Sequence, residues 1–519
     1  MRHAYLAPLL AAGLAACQSP TASTEATSPV RPYHEPYRPQ FHFSPKENWM
    51  NDPNGLVYEN GTYHLFFQFN PTAPVAGNIH WGHATSADLV HWQQQPTALA
   101  PDSLGLIFSG SAVLDAQNTS GLGQPGRPPL VALYTSHSEA REKAGRQDVE
   151  NQSLAYSLDH GQTWQKYAHN PVLLNQGSRD FRDPKVRWYA PGDKWLLALS
   201  AHDHIEFYSS KNLLNWTKES AFGRGLGAHG GVWECPDLLE VPDAQGKPHD
   251  VLIVNMNPGG PNSGSATQYF VGAFDGKQFR ATLPGTHWLG YGPDNYAGVT
   301  WSNLPAGSAP TLIGWMSNWN YGQQVPTTPW RSAMTVPRTL ALRPGAQGEL
   351  LLASQPIAGL SRLYEQVLNL TNVAVAGRYD LGQHLKNPTG RLRLKFTVPQ
   401  AQNWSLILSN AAKEQVVVGY DQARNAYYFD RSKSGNVNFA PGKGFAQVAY
   451  APRLAAGPTQ EIILLVDAAS AELFADGGVT CMTGIFFPSQ PLTGLVLQAS
   501  APLTLPSVEL AAMKSLWPK

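Results

Sequence analysis

A short turn motif recurs through the N-terminal half of the chain and restricts the fold more than any other feature. Ser86-Ala87-Asp88-Leu89-Val90-His91-Trp92, Ser157-Leu158-Asp159-His160-Gly161-Gln162-Thr163-Trp164 and Ser209-Ser210-Lys211-Asn212-Leu213-Leu214-Asn215-Trp216 share one plan: a Ser, a polar turn and a closing Trp. Phe274-Asp275-Gly276-Lys277-Gln278-Phe279 is a degenerate fourth copy. An apolar stretch of strand character precedes each copy, at 63–69, 130–134, 195–199 and 251–254, so each copy reads as a turn between strands. Intervals of roughly 50–70 residues without long helical periodicity suit radially repeated four-stranded sheets, because such blades bury their faces only against their neighbours. The expectation is a β-propeller over 38–350, a length that five blades fill.

From about residue 365 the Trp turns stop and alternating strands take over, at 391–396, 405–408, 415–420, 461–466 and 494–498. This texture predicts a β-sandwich over 365–519, with 351–364 as connector and 356–367 as the candidate for a short helix. The fold class is therefore all-β: a five-bladed β-propeller followed by a C-terminal β-sandwich. The 37 Lys and Arg balance 37 Asp and Glu, which leaves no field of one sign to attract polyanions and argues against nucleic acid as a partner. Charged residues are 14% of the chain against 15 Trp, 20 Tyr and 19 Phe, the balance of an aromatic-rich enzyme or sugar binder.

The N-terminus reads as a targeting segment. Arg2 and His3 precede a run over 4–16 of mostly Ala and Leu, closed by Leu14-Ala15-Ala16-Cys17. The run has the length of a signal-peptide core and is too short to cross a bilayer as a mature helix. The box resembles that of bacterial lipoproteins, with 1–17 removed and Cys17 the acylated first residue; an ordinary secretory signal is the alternative. Gln18, in place of Asp, matches outer-membrane rather than inner-membrane retention, so the expectation is an exported, outer-membrane-anchored lipoprotein that meets the membrane through this anchor alone. Residues 18–37, rich in Ser, Thr and Pro, read as a flexible tether. Cys235 and Cys481 remain, with no metal-like spacing; they allow at most one long-range bridge.

Three acidic segments carry the chemistry. In Trp49-Met50-Asn51-Asp52-Pro53-Asn54-Gly55, Asp-Pro and Asn-Gly taken alone form a tight turn, but Trp and Met beside Asn-Asp would set an apolar wall next to a carboxylate. In Phe181-Arg182-Asp183-Pro184-Lys185-Val186, Arg182 would hold Asp183 ionised, an anion that accepts hydrogen bonds from sugar hydroxyls and favours positive charge on a ring. In Val232-Trp233-Glu234-Cys235-Pro236-Asp237, a Glu between Trp and Cys-Pro would be poorly solvated, raising its pKa as a general acid requires. One carboxylate to attack and one carboxylic acid to protonate the leaving oxygen are what a retaining glycosidase needs.

With Phe108-Ser109-Gly110-Ser111, Gln68-Phe69-Asn70-Pro71, His80-Trp81-Gly82-His83-Ala84, Gly314-Trp315-Met316-Ser317-Asn318-Trp319 and Trp330-Arg331-Ser332-Ala333-Met334, these segments resemble, in order, the invertase, inulinase and levanase family of β-fructofuranosidases, glycoside hydrolase family 32. The resemblance runs from about Tyr37 to the C-terminal strands. It implies a five-bladed propeller with the site at its axis, Asp52 as nucleophile, Glu234 as acid/base and Asp183 as transition-state stabiliser. It places Asn51, Gln68, Phe108, Ser109, Arg182 and Trp319 around the terminal fructosyl unit and requires no metal and no cofactor. The run 314–338, with Tyr321 and Val325-Pro326-Thr327, is most similar to the exo-acting levanases and exo-inulinases, which implies a fructan substrate, levan or inulin, with sucrose also cleaved. A sucrose-preferring invertase, a fructosyltransferase and a non-catalytic fructan-binding lipoprotein are the alternatives.

Three departures stand out. Ala76 occupies the place of a family Trp, so a pocket wall is missing or supplied by Trp81 or another residue; Pro293 and Asn295 are unusual in 291–297; and 466–470 is a less polar turn than the family's. His80 with His83, and His202 with His204, have spacings that could hold a metal, but no third ligand accompanies them.

Overall fold

The computed structural model describes residues 31–386 and 388–517. The signal segment with Cys17 and the tether up to residue 30 lie outside the described residues.

Five antiparallel sheets follow one another along the chain. Blade 1 comprises Asn48–Glu59, Thr62–Asn70, His80–Ser86 and Gln93–Leu99; blade 2 Leu106–Leu114, Leu130–His137, Glu150–Ser157 and Gln165–Lys166; blade 3 Phe181–Tyr189, Lys194–Ala201, His204–Ser210 and Thr217–Phe222. Blade 4 comprises Val232–Pro242, Pro248–Asn257, Ala266–Phe274 and Phe279–Ala281, and blade 5 Tyr296–Thr300, Thr311–Trp315, Arg338–Pro344 and Leu350–Pro356. The first strand of each blade touches the first strand of the next, and blade 5 returns to blade 1. The ring is latched where Trp330–Arg331 pairs in parallel with Asn48 and Trp49.

The repeated motif sits at one place in blades 1 to 4, the turn from third to fourth strand. Its Asp or Asn side chain caps the turn. Asp88 Oδ1 accepts the N–H groups of Val90 (3.0 Å) and His91 (2.8 Å), Asp159 Oδ1 that of Thr163 (2.9 Å), Asn212 Oδ1 those of Leu214 (3.1 Å) and Asn215 (3.0 Å), and Asp275 Oδ1 those of Lys277 (3.0 Å) and Gln278 (2.8 Å). The Trp residues then pack between blades: Trp92 stacks on Trp301 of blade 5 and Trp164 meets Phe66 of blade 1 edge-on.

Two six-stranded sheets form the sandwich, with Leu394, Phe396, Trp404, Val418, Phe429, Leu464 and Leu497 in the core between them. Two boundaries move relative to the sequence reading. Leu350–Pro356, expected to begin the connector 351–364, is the outer strand of blade 5, and Tyr364–Val375 is already the first sandwich strand; a 3₁₀ turn, Ala358–Leu363, alone joins them. The strand hid from pattern reading because both its faces are covered, Leu352 by the propeller and Leu351 and Ala353 by Val479 of the sandwich. The last tether residues are packed: Tyr33 stacks on Trp517 at 3.8 Å, and buried Glu35 pairs with Arg38 at 2.8 Å. A five-residue helix, Glu139–Lys143, capped by Ser138, was not anticipated. Cys235 and Cys481 are separate buried thiols, one in each domain.

Buried charge joins the domains. Asp294 of the unusual 291–297 segment accepts from Arg431 Nη1 (2.5 Å), the Tyr321 hydroxyl (2.6 Å) and the Ile485 N–H (3.0 Å). His42 bridges Asp467 and Glu472 at 2.8 Å each, and Glu472 also pairs with Arg338.

Candidate active site

Because the first strand of each blade runs away from the entry end and the second returns to it, the loops joining second to third strands all crown one mouth: 71–79, 138–149, 202–203, 258–265 and 316–337. Under them lies a cavity of ≈ 450 Å³. A β-bulge interrupts the first strand of all five blades there, two residues facing one on the second strand. The bulged pairs are Asn51-Asp52 opposite Gln68, Phe108-Ser109 opposite Thr135, Asp183-Pro184 opposite Leu199, Cys235-Pro236 opposite Val254, and Ala297-Gly298 opposite Gly314. Asp183, Cys235 and Ala297 have φ of 65°, 43° and 54°. A bulge rotates a side chain out of the strand's alternation, so residues that would flank the axis point into it. Pro53, Pro184 and Pro236 sit where the ladder is already broken and no N–H is needed. Asp-Pro is therefore the signature of a bulged strand here, not of a turn.

Asp52 lies at the cavity floor, its Oδ2 accepting from the Ser109 hydroxyl at 2.7 Å and its Oδ1 from the Asn51 amide at 3.1 Å. Burial and the nearby Glu234 charge push its carboxyl up to about 6, against those donors. Asp183 Oδ2 accepts the Cys235 N–H at 2.9 Å; its carboxyl is raised by burial and by the Glu234 and Asp52 carboxylates, with Arg182 opposing. Glu234 receives Arg182 on Oε1 (Nη2 3.1 Å, Nε 3.2 Å) and the Tyr296 hydroxyl on Oε2. The Cys235 Sγ stands 3.7 Å from Asp52 Oδ2 and 3.6 Å from Asp183 Oδ2, so one thiol separates the two carboxylates.

All nine residues expected at the site line this cavity: Asn51, Asp52, Gln68, Phe108, Ser109, Arg182, Asp183, Glu234 and Trp319. Several local expectations change. Trp49 and Met50 are fully buried and form no wall; Trp49 Nε1 instead donates to Asn51 Oδ1 at 2.7 Å, and its ring backs Trp319 at 5.8 Å. Trp81 does not replace the family Trp at Ala76, because it is buried between blades with Nε1 bound to Phe108 O at 3.0 Å. Ala76 lines the cavity with Gly77 and Ile79, leaving Phe108 and Trp319 as its aromatic walls. Arg182 grips Glu234 (3.1 Å), Asp180 (2.8 Å) and Glu150 (3.2 Å) rather than Asp183, on which it acts through space.

Glu150, His137, Asp180 and Tyr296 were missed. Glu150 is a buried carboxylate that binds Arg182, the Phe181 N–H at 2.7 Å and His137 Nδ1 at 3.2 Å. Burial would raise its pKa, but Arg182 and these donors hold it below the usual range. His137 in turn stacks on Phe108 at 4.2 Å. The available signal was the polar run Glu150-Asn151-Gln152-Ser153, wholly buried at the start of a strand. Tyr296 gives no local signal, since its partner is 62 positions away in sequence.

Below the acids the axis is plugged: Lys185 Nζ lies 2.9 Å from Asp237 Oδ2 and 2.6 Å from Thr300 O. These contacts occupy the axis beneath the acids. Among the described residues no group of three or more His, Cys, Asp or Glu has the placement to hold a metal ion. His80 and His83 turn to different partners, Asn78 O and His64, as do His202 and His204, to Asp180 and Asp203. Among the described residues no helix is long and apolar enough to cross a membrane.

A five-fold ring of bulged strands with three carboxylic acids gathered in one cavity can now be set beside known proteins. The chain is 41% identical over 497 residues to the levanase of Bacillus subtilis, covering 93% of this chain and 72% of that one. It is 41% identical over 496 residues to the extracellular exo-inulinase of Aspergillus niger, with 88% and 90% covered. The crystal structure of the Aspergillus awamori exo-inulinase superposes with a TM-score of 0.84 at 37% identity over 93% of this chain and all of that one. The β-fructofuranosidase of Schwanniomyces occidentalis complexed with fructosyl-erythritol does so at 0.85 and 31%, over 94% of this chain and 100% of that one. The sequence profile of the "Glycosyl hydrolases family 32 N-terminal domain" matches residues 42–354 and that of the "Glycosyl hydrolases family 32 C terminal" residues 360–512; propeller and sandwich together place this chain in glycosyl hydrolases family 32.

Proposed function

We propose that the chain is a retaining exo-β-fructosidase that removes terminal fructosyl units from fructans, levan or inulin, and also cleaves sucrose. The observation that carries this reading is the wall around the acids. Loops 71–79, 138–149 and 316–337 each put residues into the cavity lining, among them Ala76, Glu139 and Trp319, so the acids sit in a walled pocket that receives a chain end more readily than the middle of a polymer.

Asp52, kept partly ionised by Ser109 and Asn51, attacks the anomeric C2 and forms a fructosyl ester; Glu234 delivers its proton to the leaving oxygen as that bond breaks. Glu234, once deprotonated, is held in place by Arg182 and Tyr296 and takes a proton from water, which attacks C2 and releases fructose with retained configuration. Asp183 faces the ring where positive charge develops; that charge favours its ionised form against the burial that raises its carboxyl, and the Cys235 N–H fixes its position. Phe108 and Trp319 supply apolar walls for the ring faces.

The test is a time course of products from levan, inulin and sucrose, with the form lacking residues 1–17 beside Glu234→Ala. Free fructose as the sole early product from a polymer, absent in the variant, is the expected result. Chain lengthening at high sucrose would reassign the protein as a transferase, cleavage of sucrose alone as an invertase, and binding without turnover as a fructan-binding lipoprotein. Export follows from the same reading, since a polymeric substrate stays outside the cell, and we assign the anchor to Cys17. Cys17→Ala is expected to abolish lipid labelling and move activity from the membrane to the soluble fraction.

A further inference from the structure

A second cavity, of ≈ 420 Å³, opens on the outer face of the sandwich. One row of residues in register crosses that face: Gln498, Ser405, Gly419, Tyr428 and Tyr450. Gly419 leaves room for the Tyr428 ring that lines the hollow. A Cβ there would stand 2.5 Å from the Trp404 carbonyl oxygen and 2.6 Å from the Tyr428 ring, so Tyr428 lies across a backbone with no side chain beneath it. Tyr428 and Tyr450 have centroids 6.3 Å apart and planes 45° apart, tilted rather than stacked. Arg424 covers one side of Tyr450 at 4.7 Å and pins the ring.

The lining fits one ligand chemistry. Asn403, Ser405, Gln498 and Ser500 offer amide and hydroxyl groups, Asp421 and Asp430 offer carboxylates, and no lysine or arginine lines the hollow. Arg424, at the rim, is paired with Asp421 at 3.3 Å, so the set disfavours a phosphate or other anion and suits a neutral chain of hydroxyl groups, with carboxylates and amides for the hydroxyls and tyrosine faces for the C–H surfaces of the rings. Val448 and Tyr450, on one wall, are 36% and 37% exposed and are two of the six exposed large apolar side chains among the described residues.

The hollow is also tied to the mouth of the propeller. The 258–265 loop of blade 4 belongs to the crown around the active-site cavity, and its Asn262 clasps Tyr450 from both sides: Nδ2 donates to Tyr450 O and Oδ1 accepts the Tyr450 N–H, each at 3.0 Å. Within the same loop Ser265 Oγ accepts the Trp319 N–H at 3.1 Å, so one loop joins the hollow to a cavity wall.

We infer that this hollow is a second carbohydrate site, which holds an internal stretch of a fructan chain on the entry side of the enzyme. The inference rests on the fructan reading above. It is tested with full-length Tyr450→Ala and, independently, Asp430→Ala, both remote from the catalytic cavity. KM for levan or inulin is expected to rise about three- to tenfold, with kcat and KM for sucrose unchanged, which also reports correct folding. In native gels cast with the same polymer, Glu234→Ala is retarded more than Glu234→Ala/Tyr450→Ala, and gels cast with dextran retard neither. Equal retardation of the two, an unchanged polymer KM, or equal losses on sucrose and polymer would overturn the site. Failure of the fructan reading itself appears separately, as wild-type enzyme releasing no fructose from either polymer.

Discussion

Ser109→Ala tests the assignment of Asp52 as the ionised group. The Ser109 hydroxyl donates to Asp52 Oδ2 at 2.7 Å, and a hydrogen bond to a charged acceptor contributes about 1.5–3 kcal/mol. One pKa unit corresponds to about 1.4 kcal/mol. Asn51 and the Cys235 thiol also donate to this carboxylate and share the load, so the lower end applies: Asp52 rises from about 6 by about one unit. The nucleophile must be ionised, so activity rises with pH through this value. At pH 5 the ionised fraction then falls about tenfold, while at pH 8 it falls by about a tenth. The assay is kcat/KM on sucrose and inulin from pH 4 to 9, read as the apparent acid limb of the interacting acids. A uniform loss at every pH, with the limb unmoved, would refute the reasoning and leave Ser109 as a substrate contact only.

Tyr296→Phe removes a donor to Glu234 Oε2 and is expected to lower kcat about ten- to a hundredfold with little change in KM, read from steady-state kinetics. Burial alone would push the His42 imidazole down, but Asp467 and Glu472 outweigh it and raise it to about 9. A folded pKa above the ordinary 6.5 means that this stabilisation is complete below about pH 6.5 and is lost as pH rises through about 9. Melting temperature should fall across that window in wild type and more shallowly in His42→Gln. Arg431→Met leaves Asp294 charged and buried between the domains, an expected cost of about 3–5 kcal/mol, measured by denaturant unfolding.

What the sequence determined by itself was local and periodic. The Ser-to-Trp turns cap themselves within a few residues, so Asp88, Asp159 and Asn212 announced the blades wherever they occurred. Alternation announced the sandwich, and the motifs around Asp52, Asp183 and Glu234 marked the acids. Tertiary structure decided where those side chains point and what surrounds them. Asp-Pro reads as a turn until a partner strand, with Gln68 or Leu199 opposite, turns it into a bulge. Trp49 reads as a wall until the next blades bury it, and Arg182 reads as the partner of Asp183 until Glu234, 52 positions onward, takes its guanidinium. Tyr296, whose contact joins two blades, carries no local pattern at all, and Glu150 offers only a polar run whose partner Arg182 lies in the next blade. A propeller gathers its site from the inner edges of five separate sheets, so the site's geometry is a property of ring closure, which no window of sequence contains.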